Sequence, residues 1–552
     1  MTQNLYSLSR LSNVEEFSIE GVIKRRSDLV STFLMVVYFI TLLLFFPPIH
    51  PLSVFLWCYS LVLVVLIVYK PDWWLWAVVV SVSLLGFVPN LFGVFNKEFF
   101  DGSFISLSAL NLGQVSGLRN RVVSLSVLGI HPSIIIWWVR EKKIMFPGSF
   151  IAIASLGLLM IISSIVVCFS YMQLSVAPLR ISFLTPDFLG KLPAERIWWQ
   201  TGMPYTLMAF TVIMTFTNLV GGALFVCVYN LQRKNKKFFN VFLSAMAFST
   251  VLSVMYGLAQ MKGLVPAFTA GGRFESTFQS QGSYGIFVGI SCVFYFNRFF
   301  LSNKRSLVSM VLFLIALLGL FVNKSRTASI ALMINPFMLY LGYVIVRRYT
   351  GEAVISLWKR TVLAVITVCI IGSSLLISMP KYNSIIRSHF SNLNNPLIVR
   401  VLDSFNIDKG GIMHALSGRL DIWDRALYIW YRNPVQGCGE GQLYWQLRYL
   451  GGDDTAASQY LLVLCEMGLV GFVLLLWVIW LICRDLTAHL LTREPGINLR
   501  EWLLMLMILI NIYLQSFTIH VLHFVELPLL IGIITAVALA SSRVRSDLLS
   551  AE

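Results

Sequence analysis

Ser306-Leu307-Val308-Ser309-Met310-Val311-Leu312-Phe313-Leu314-Ile315-Ala316-Leu317-Leu318-Gly319-Leu320-Phe321-Val322-Asn323 carries no charged side chain, and Lys304-Arg305 and Lys324-Ser325-Arg326 bracket it. As a helix rising about 1.5 Å per residue, it reaches across most of the roughly 30 Å of hydrocarbon in a bilayer. It lacks the strict alternation of a barrel strand. The run and its charged ends read as a membrane-spanning helix, and the pattern recurs along the chain.

Similar runs cover approximately 29–46, 53–69, 73–93, 122–139, 148–172, 205–231, 238–260, 282–302, 306–323, 327–346, 361–378, 456–482, 501–522 and 525–542. His131 and Pro132 interrupt the fourth, which makes it the weakest. The prediction is an all-α polytopic membrane protein of about fourteen transmembrane helices. Composition agrees: the 552 residues are 57% hydrophobic and 12% charged, where a soluble chain has about 25% charged. The polar first 28 residues and the lack of a small-residue cleavage site make the first run a helix rather than a removed signal. The eight cysteines give no disulfide framework, since most lie inside apolar runs. Neither a Cys/His zinc spacing nor a phosphate-binding glycine loop is present.

Basic residues set the orientation. With the N-terminus inside, about 24 of the 42 Lys and Arg fall on cytoplasmic connections, against about 10 outside once the longest loop is set aside. That bias reads as N-in and C-in, which requires an even number of spans. The long connections, about 94–121, 173–204, 261–281 and 379–455, all fall outside. The last is far longer than a plain connector. Within it, Leu420, Trp423, Leu427 and Trp430 share one helical face, so short helices on the membrane surface are expected, ending near Pro434.

Four external segments carry the chemistry-bearing residues. They are Gly271-Gly272-Arg273-Phe274-Glu275-Ser276-Thr277-Phe278-Gln279-Ser280-Gln281; Asn323-Lys324-Ser325-Arg326-Thr327; Ser417-Gly418-Arg419-Leu420-Asp421-Ile422-Trp423, leading to Asn433-Pro434-Val435-Gln436-Gly437-Cys438-Gly439-Glu440-Gly441; and Asp453-Asp454-Thr455-Ala456-Ala457-Ser458-Gln459-Tyr460-Leu461, with Glu466-Met467-Gly468 beyond. They put three arginines at one membrane face. A guanidinium fork matches a phosphate or pyrophosphate bidentately and stays charged. A plainer reading has Arg273 and Arg326 snorkelling to headgroups and Arg419 paired with Asp421 or Asp424. Glu466, inside a span, is read as structural or catalytic alike. Trp73, Trp74, Trp76, Trp137, Trp138, Trp198 and Trp199 read as interfacial belt residues.

Taken together and in this order, the segments resemble the O-antigen ligase and O-antigen polymerase superfamily, bacterial glycosyltransferases acting on lipid-linked polysaccharide. The matches are Arg273/Thr277/Phe278, Ser325/Arg326, Gly418/Arg419/Trp423, Pro434, Gly437/Gly439/Gly441 and Tyr460/Leu461/Glu466/Gly468/Gly471, over roughly 260–482. One departure stands out: the family's His-Asn pair falls on Ala457-Ser458.

The resemblance implies a GT-C-like glycosyltransferase in the bacterial inner membrane, multi-pass, with its active site facing the periplasm. It implies this division: 1–28 a cytoplasmic N-terminal segment, 29–260 N-terminal transmembrane helices, 261–378 the central helices of the ligase/polymerase-like region, 379–455 a large periplasmic loop, 456–552 the C-terminal helices and cytoplasmic tail. The implied substrates are a glycan on undecaprenyl pyrophosphate and an acceptor glycan, in O-antigen, lipopolysaccharide or exopolysaccharide biosynthesis. Membrane lipid and a chain-length regulator are the other expected partners; no nucleic acid, cofactor or metal is expected. Arg273, Arg326 and Arg419 are assigned to the pyrophosphate, and Glu275, Gln279, Trp423 and Ser458 to other substrate contacts. The acceptor hydroxyl needs a base within hydrogen-bond reach; Asp454, beside the segment where the family places its histidine, is the first candidate and Glu440 the second. A single base without a nucleophile suits one inverting displacement. The missing histidine shifts weight from ligase to polymerase. A flippase of the same lipid-linked glycan is the non-enzymatic alternative.

Overall fold

The computed structural model describes residues 51–84, 117–141, 143–176, 203–235, 237–265, 274, 276–278, 281–302, 306–378, 419–443, 446–447, 458–491, 499–517 and 526–543. Fourteen helices are described: α1 (Pro51–Tyr69), α2 (Pro71–Leu84), α3 (Gly117–Arg140), α4 (Phe150–Val176), α5 (Met203–Lys234), α6 (Lys237–Met261), α7 (Gln281–Leu301), α8 (Ser306–Asn323), α9 (Arg326–Thr350), α10 (Leu357–Ser378), α11 (Arg419–Arg432), α12 (Gln459–Leu491), α13 (Leu499–Ser516) and α14 (Glu526–Arg543). All but α11 fall on predicted spans, and the predicted first span, 29–46, lies outside the described residues. The chain is a polytopic all-α membrane protein. Seven of the described helices are long and apolar enough to cross a bilayer by themselves, and four shorter apolar helices join them.

The inverted surface supports the same conclusion. On α8, Leu307, Met310, Val311, Leu314, Leu318 and Phe321 are all exposed, at helical spacing. On α10, Trp358, Val362, Val365, Val368 and Ile371 repeat the pattern. Such apolar stripes suit hydrocarbon as solvent and would aggregate a protein in water. The core runs along α7, the most enclosed span, with 89% of its apolar window buried. There Tyr284, Phe287, Phe294 and Tyr295 are sealed off, with Phe294 edge-on to Tyr295 at 5.0 Å.

Two readings are corrected. Pro132 does not interrupt the fourth span: α3 runs unbroken through it to Arg140. Trp74 and Trp137 are buried, and Trp74 donates its indole N–H to Ser133 Oγ (2.9 Å), tying α2 to α3; Trp73 remains exposed as a belt residue would be.

The connections alternate between two ends. At one, Lys234 pairs with Glu141 (2.5 Å), Asp485 accepts from Arg484 and from Ser149 N, and Lys359 Nζ donates to Phe299 O and Ser302 O. At the other lie segment 274–278, the Asn323–Arg326 turn, α11 and the start of α12.

Candidate active site

At this second end, segment 274–278 is fastened by residues beside the predicted ligands. Ser276 takes a left-handed conformation (φ 55°), donates its N–H to Gln260 Oε1 (2.8 Å), and donates its hydroxyl to Ser253 O. Thr277 Oγ1 donates to Ser83 O (2.7 Å), and buried Phe278 lies against Phe287 and Tyr284. Thr277 and Phe278, which carry the motif, are thus anchors. Arg273, Glu275 and Gln279 lie outside the described residues.

Asn323 ends α8 and joins that segment to the next. Its Nδ2 donates to Phe274 O (3.1 Å) and to Gln281 O (2.9 Å). Lys324 turns the chain in a left-handed conformation (φ 60°), and Ser325 N-caps α9, accepting from Ala328 N (3.4 Å). Arg326 is the first residue of α9 and half-buried. A Cβ on Gly285 would lie 2.7 Å from Asn323 Oδ1, so α7 needs glycine there for the turn to sit down. The residue after Arg273 is therefore bonded to the residue three before Arg326. The start of α9 is linked onward to the same end of α13: Gly289 on α7 packs against both Ala328 and Gln515. Near that end of α13, Tyr513 O accepts from Tyr460 on α12 (3.3 Å), and Phe517 packs on Tyr460 at 4.5 Å.

In the long loop, α11 ends at Arg432, just before Pro434, as expected. Its packing face differs from the predicted one. Ala426 and Ile429 are buried, with Ile422 and Trp430 beside them, against Leu462 and Cys465 of α12. Leu427, predicted to share the inward face, is 43% exposed. Arg419 opens the helix, although its side chain is outside the description. Trp423 is half-buried.

The glycine turn after α11 is the most specific junction in the molecule. α12 is broken at Gly468 (φ 66°, ψ −165°). In an unbroken helix, Leu469 N would bond Cys465 O, and Val470 N would bond Glu466 O. Instead Cys438 N and Gly439 N donate to Cys465 O and Glu466 O (both 2.8 Å). Leu469 N donates to Pro434 O (2.9 Å) and Val470 N to Val435 O (3.5 Å). The turn thus satisfies the four backbone groups that the break releases, a requirement at membrane depth. Side chains cannot fit. Gly437 has φ 73°, and a Cβ there would lie 2.4 Å from Glu466 C and O; one on Gly468 would lie 2.1 Å from Val435 O. Ser163, at the midpoint of α4, accepts from Glu440 N (2.9 Å), while Thr211 on α5 donates to Glu440 O (3.0 Å) and accepts from Gln442 Nε2 (2.9 Å). The turn is inserted between helices.

Glu440 is consequently no solvated loop residue. It and Glu466 are each 1% exposed, and Glu440 Oε2 is buried without a hydrogen-bond partner. Burial, with the nearby Glu466 carboxylate adding to it, holds the Glu440 carboxyl well above the usual range. Glu466 Oε1 accepts from Leu443 N (3.1 Å). Cys438 is likewise buried, and burial followed by Glu466 pushes its thiol well up, so it is a packing residue rather than a nucleophile.

Ser458, where the family has asparagine, is buried and N-caps α12: its Oγ accepts from Leu461 N (3.5 Å), and its carbonyl accepts from Leu462 N (2.9 Å). Asp454 lies outside the described residues. Ser163, Thr211 and Gln442 carried no motif signal. Asn323 carried one faint signal, as a polar residue closing an apolar run.

Residues 311–476 match the protein family described as O-antigen ligase, which supports the O-antigen ligase/polymerase superfamily for this chain. The matched stretch contains Arg326, Arg419, the glycine turn and the broken part of α12. No curated protein matches the chain. The match places a region similar to that of O-antigen ligase/polymerase-like membrane glycosyltransferases within a polytopic membrane protein.

Proposed function

We propose that this chain polymerises glycan repeat units carried on undecaprenyl pyrophosphate at the periplasmic face of the bacterial inner membrane. The observation that carries the reading is that the family match spans Arg326, Arg419 and the turn locked into α12. Arg326 opens a helix, capped by Ser325, whose N-terminal end favours anions, and Asn323 tethers that turn to the segment that carries Arg273. The arginines hold the donor pyrophosphate and stabilise the charge that develops on it as the glycosidic carbon–oxygen bond breaks. The acceptor hydroxyl attacks the anomeric carbon from the opposite side, which inverts it, and a carboxylate takes the hydroxyl proton. Asp454 fills that role in this reading. Glu440, buried and well above the usual carboxylate range, serves only where the turn opens to the acceptor. No step is assigned to a metal. Glu275, Gln279, Trp423 and Ser458 are placed along the glycan and its carrier.

Arg273→Ala, Arg326→Ala and Arg419→Ala, each in a strain lacking the native copy, are expected to abolish long-chain glycan while the protein still inserts. Normal chain length in all three sinks the reading. A ligase transferring glycan to lipid A core is the second reading, favoured by the description of the matched family; Ala457 in place of the family's histidine weighs against it. Deletion separates them. Loss of a polymerase leaves single repeat units on the cell surface, and loss of a ligase leaves polymer stranded on its lipid carrier.

A further inference from the structure

Helices α4, α5, α12, α13 and α14 line a partly open cavity of about 430 Å³. Its outer end lies at Gln459 and Tyr460, the first turn of α12, and its inner end at Phe150 and Ile482. From Gln459 to Ile482 a helix rises through roughly the thickness of the hydrocarbon layer. The walls are overwhelmingly apolar, from Ile153 and Leu219 to Leu475 and Ile531. Protein interiors close on themselves with few voids larger than a water. An apolar space of this size along the bundle leaves room for an apolar guest.

Two details of the wall bear on what that is. Gly222, at mid-depth on α5, borders the cavity with room to spare: a Cβ there would meet only Ile153 Cγ2, at 3.9 Å. Asn218, one turn earlier, also lines the cavity, and its Nδ2 and Oδ1 are both buried without a hydrogen-bond partner. An amide with both groups unmet at this depth is costly, and such positions are functional more often than not.

We propose that this cavity is a binding site for one hydrocarbon chain of a lipid, whose headgroup stays at the outer end beside Ser458 and Tyr460. Two lipids present that chemistry: a membrane phospholipid through an acyl chain, and the polyprenyl carrier through its isoprenoid chain. The second source rests on the function proposed above; the first does not. Asn218 bears on the choice, because the double bonds of an isoprenoid chain offer its N–H a weak π contact that a saturated chain lacks.

The test is native mass spectrometry of the purified full-length chain with added undecaprenyl phosphate or dipalmitoyl phosphatidylglycerol. Gly222→Phe fills the cavity. Gly372→Phe adds the same bulk on α10, where a Cβ would find nothing within 4 Å, and serves as the control. Gly222→Phe is expected to weaken retention of at least one lipid tenfold or more, while Gly372→Phe retains both. Displacement of undecaprenyl phosphate alone assigns the chain to the carrier, of the phospholipid alone to the membrane, and of both to a shared site. Asn218→Leu is expected to lower the preference for undecaprenyl phosphate where that lipid is the occupant. Equal retention by Gly222→Phe and Gly372→Phe for both lipids overturns the proposal. Should Gly222→Phe fail to fold, diazirine-bearing versions of the two lipids on the unaltered protein decide: labels on 219–225 of α5 or 528–535 of α14 support the site, and labels confined to outward residues such as Leu314 and Val365 overturn it. Because binding is read without glycan transfer, failure here is distinguishable from failure of the proposed reaction.

Discussion

The turn Asn323–Arg326 and the turn Pro434–Gly441 lie at the same end of the bundle, yet opposite means hold them. The first hangs on side chains: the Asn323 amide reaches two carbonyls and the Ser325 hydroxyl caps α9. The second hangs on their absence. Backbone meets backbone across Gly437, Gly439 and Gly468, with four hydrogen bonds exchanged for the two that α12 gives up. A side-chain tether can be loosened in steps, whereas a backbone junction between glycines tolerates no such grading.

That difference sets the order of expected effects. Gly468→Ala should be the most damaging change. It forces a Cβ to within 2.1 Å of Val435 O at a left-handed φ, and the φ alone costs about 1–2 kcal/mol. Thermal unfolding in detergent should shift down sharply, and glycan output should vanish with it. A fully stable Gly468→Ala protein would break the comparison. Arg326→Lys comes next on activity and should leave stability nearly unchanged. The charge remains but the fork is lost, so transfer rates should fall on the order of 100-fold, as for loss of one transition-state donor. Asn323→Ala should cost about 1–3 kcal/mol, because Phe274 O and Gln281 O lose their donor. Its activity loss should be partial, reflecting a looser Arg273 segment. Ser458→Ala removes a single cap and should cost about 1 kcal/mol.

Acidity tests the backbone junction separately. The folded Glu440 carboxyl holds its proton to higher pH than the unfolded one, so its contribution is fully present below the ordinary carboxylate pKa of 4.5 and is lost as pH rises through the raised value. The midpoint of the native protein should fall on going alkaline, and Glu440→Gln should flatten that fall. An unchanged slope would remove Glu440 as its source.

The two turns were unequally legible in the sequence. Long charge-free runs such as 306–323 announce a membrane helix because hydrocarbon demands one kind of residue over a fixed length. Arg326 was legible because Ser325-Arg326 falls in order with the other three motif segments. The glycines showed as a pattern, but their partner did not, since Gly468 lies far along the chain and a broken helix reads like a whole one. The burial of Glu440 was hidden for the same reason: it depends on Ser163 and Thr211, two ordinary hydroxyls in apolar runs. On α11 the periodicity was right and its phase was off by about one position, because the face that packs is set by where Cys465 and Leu462 lie.

The break at Gly468 also imposes an order on how the protein is made. In the orientation proposed above, the ribosome delivers the glycine turn before α12, so the turn must cross the membrane and wait. When α12 arrives, its two freed amides and two freed carbonyls have no partner in lipid. Integration of that helix is therefore completed by a segment already on the far side. Delay in exporting the loop should expose a half-inserted α12 to the cell's quality control, long before any substrate is met.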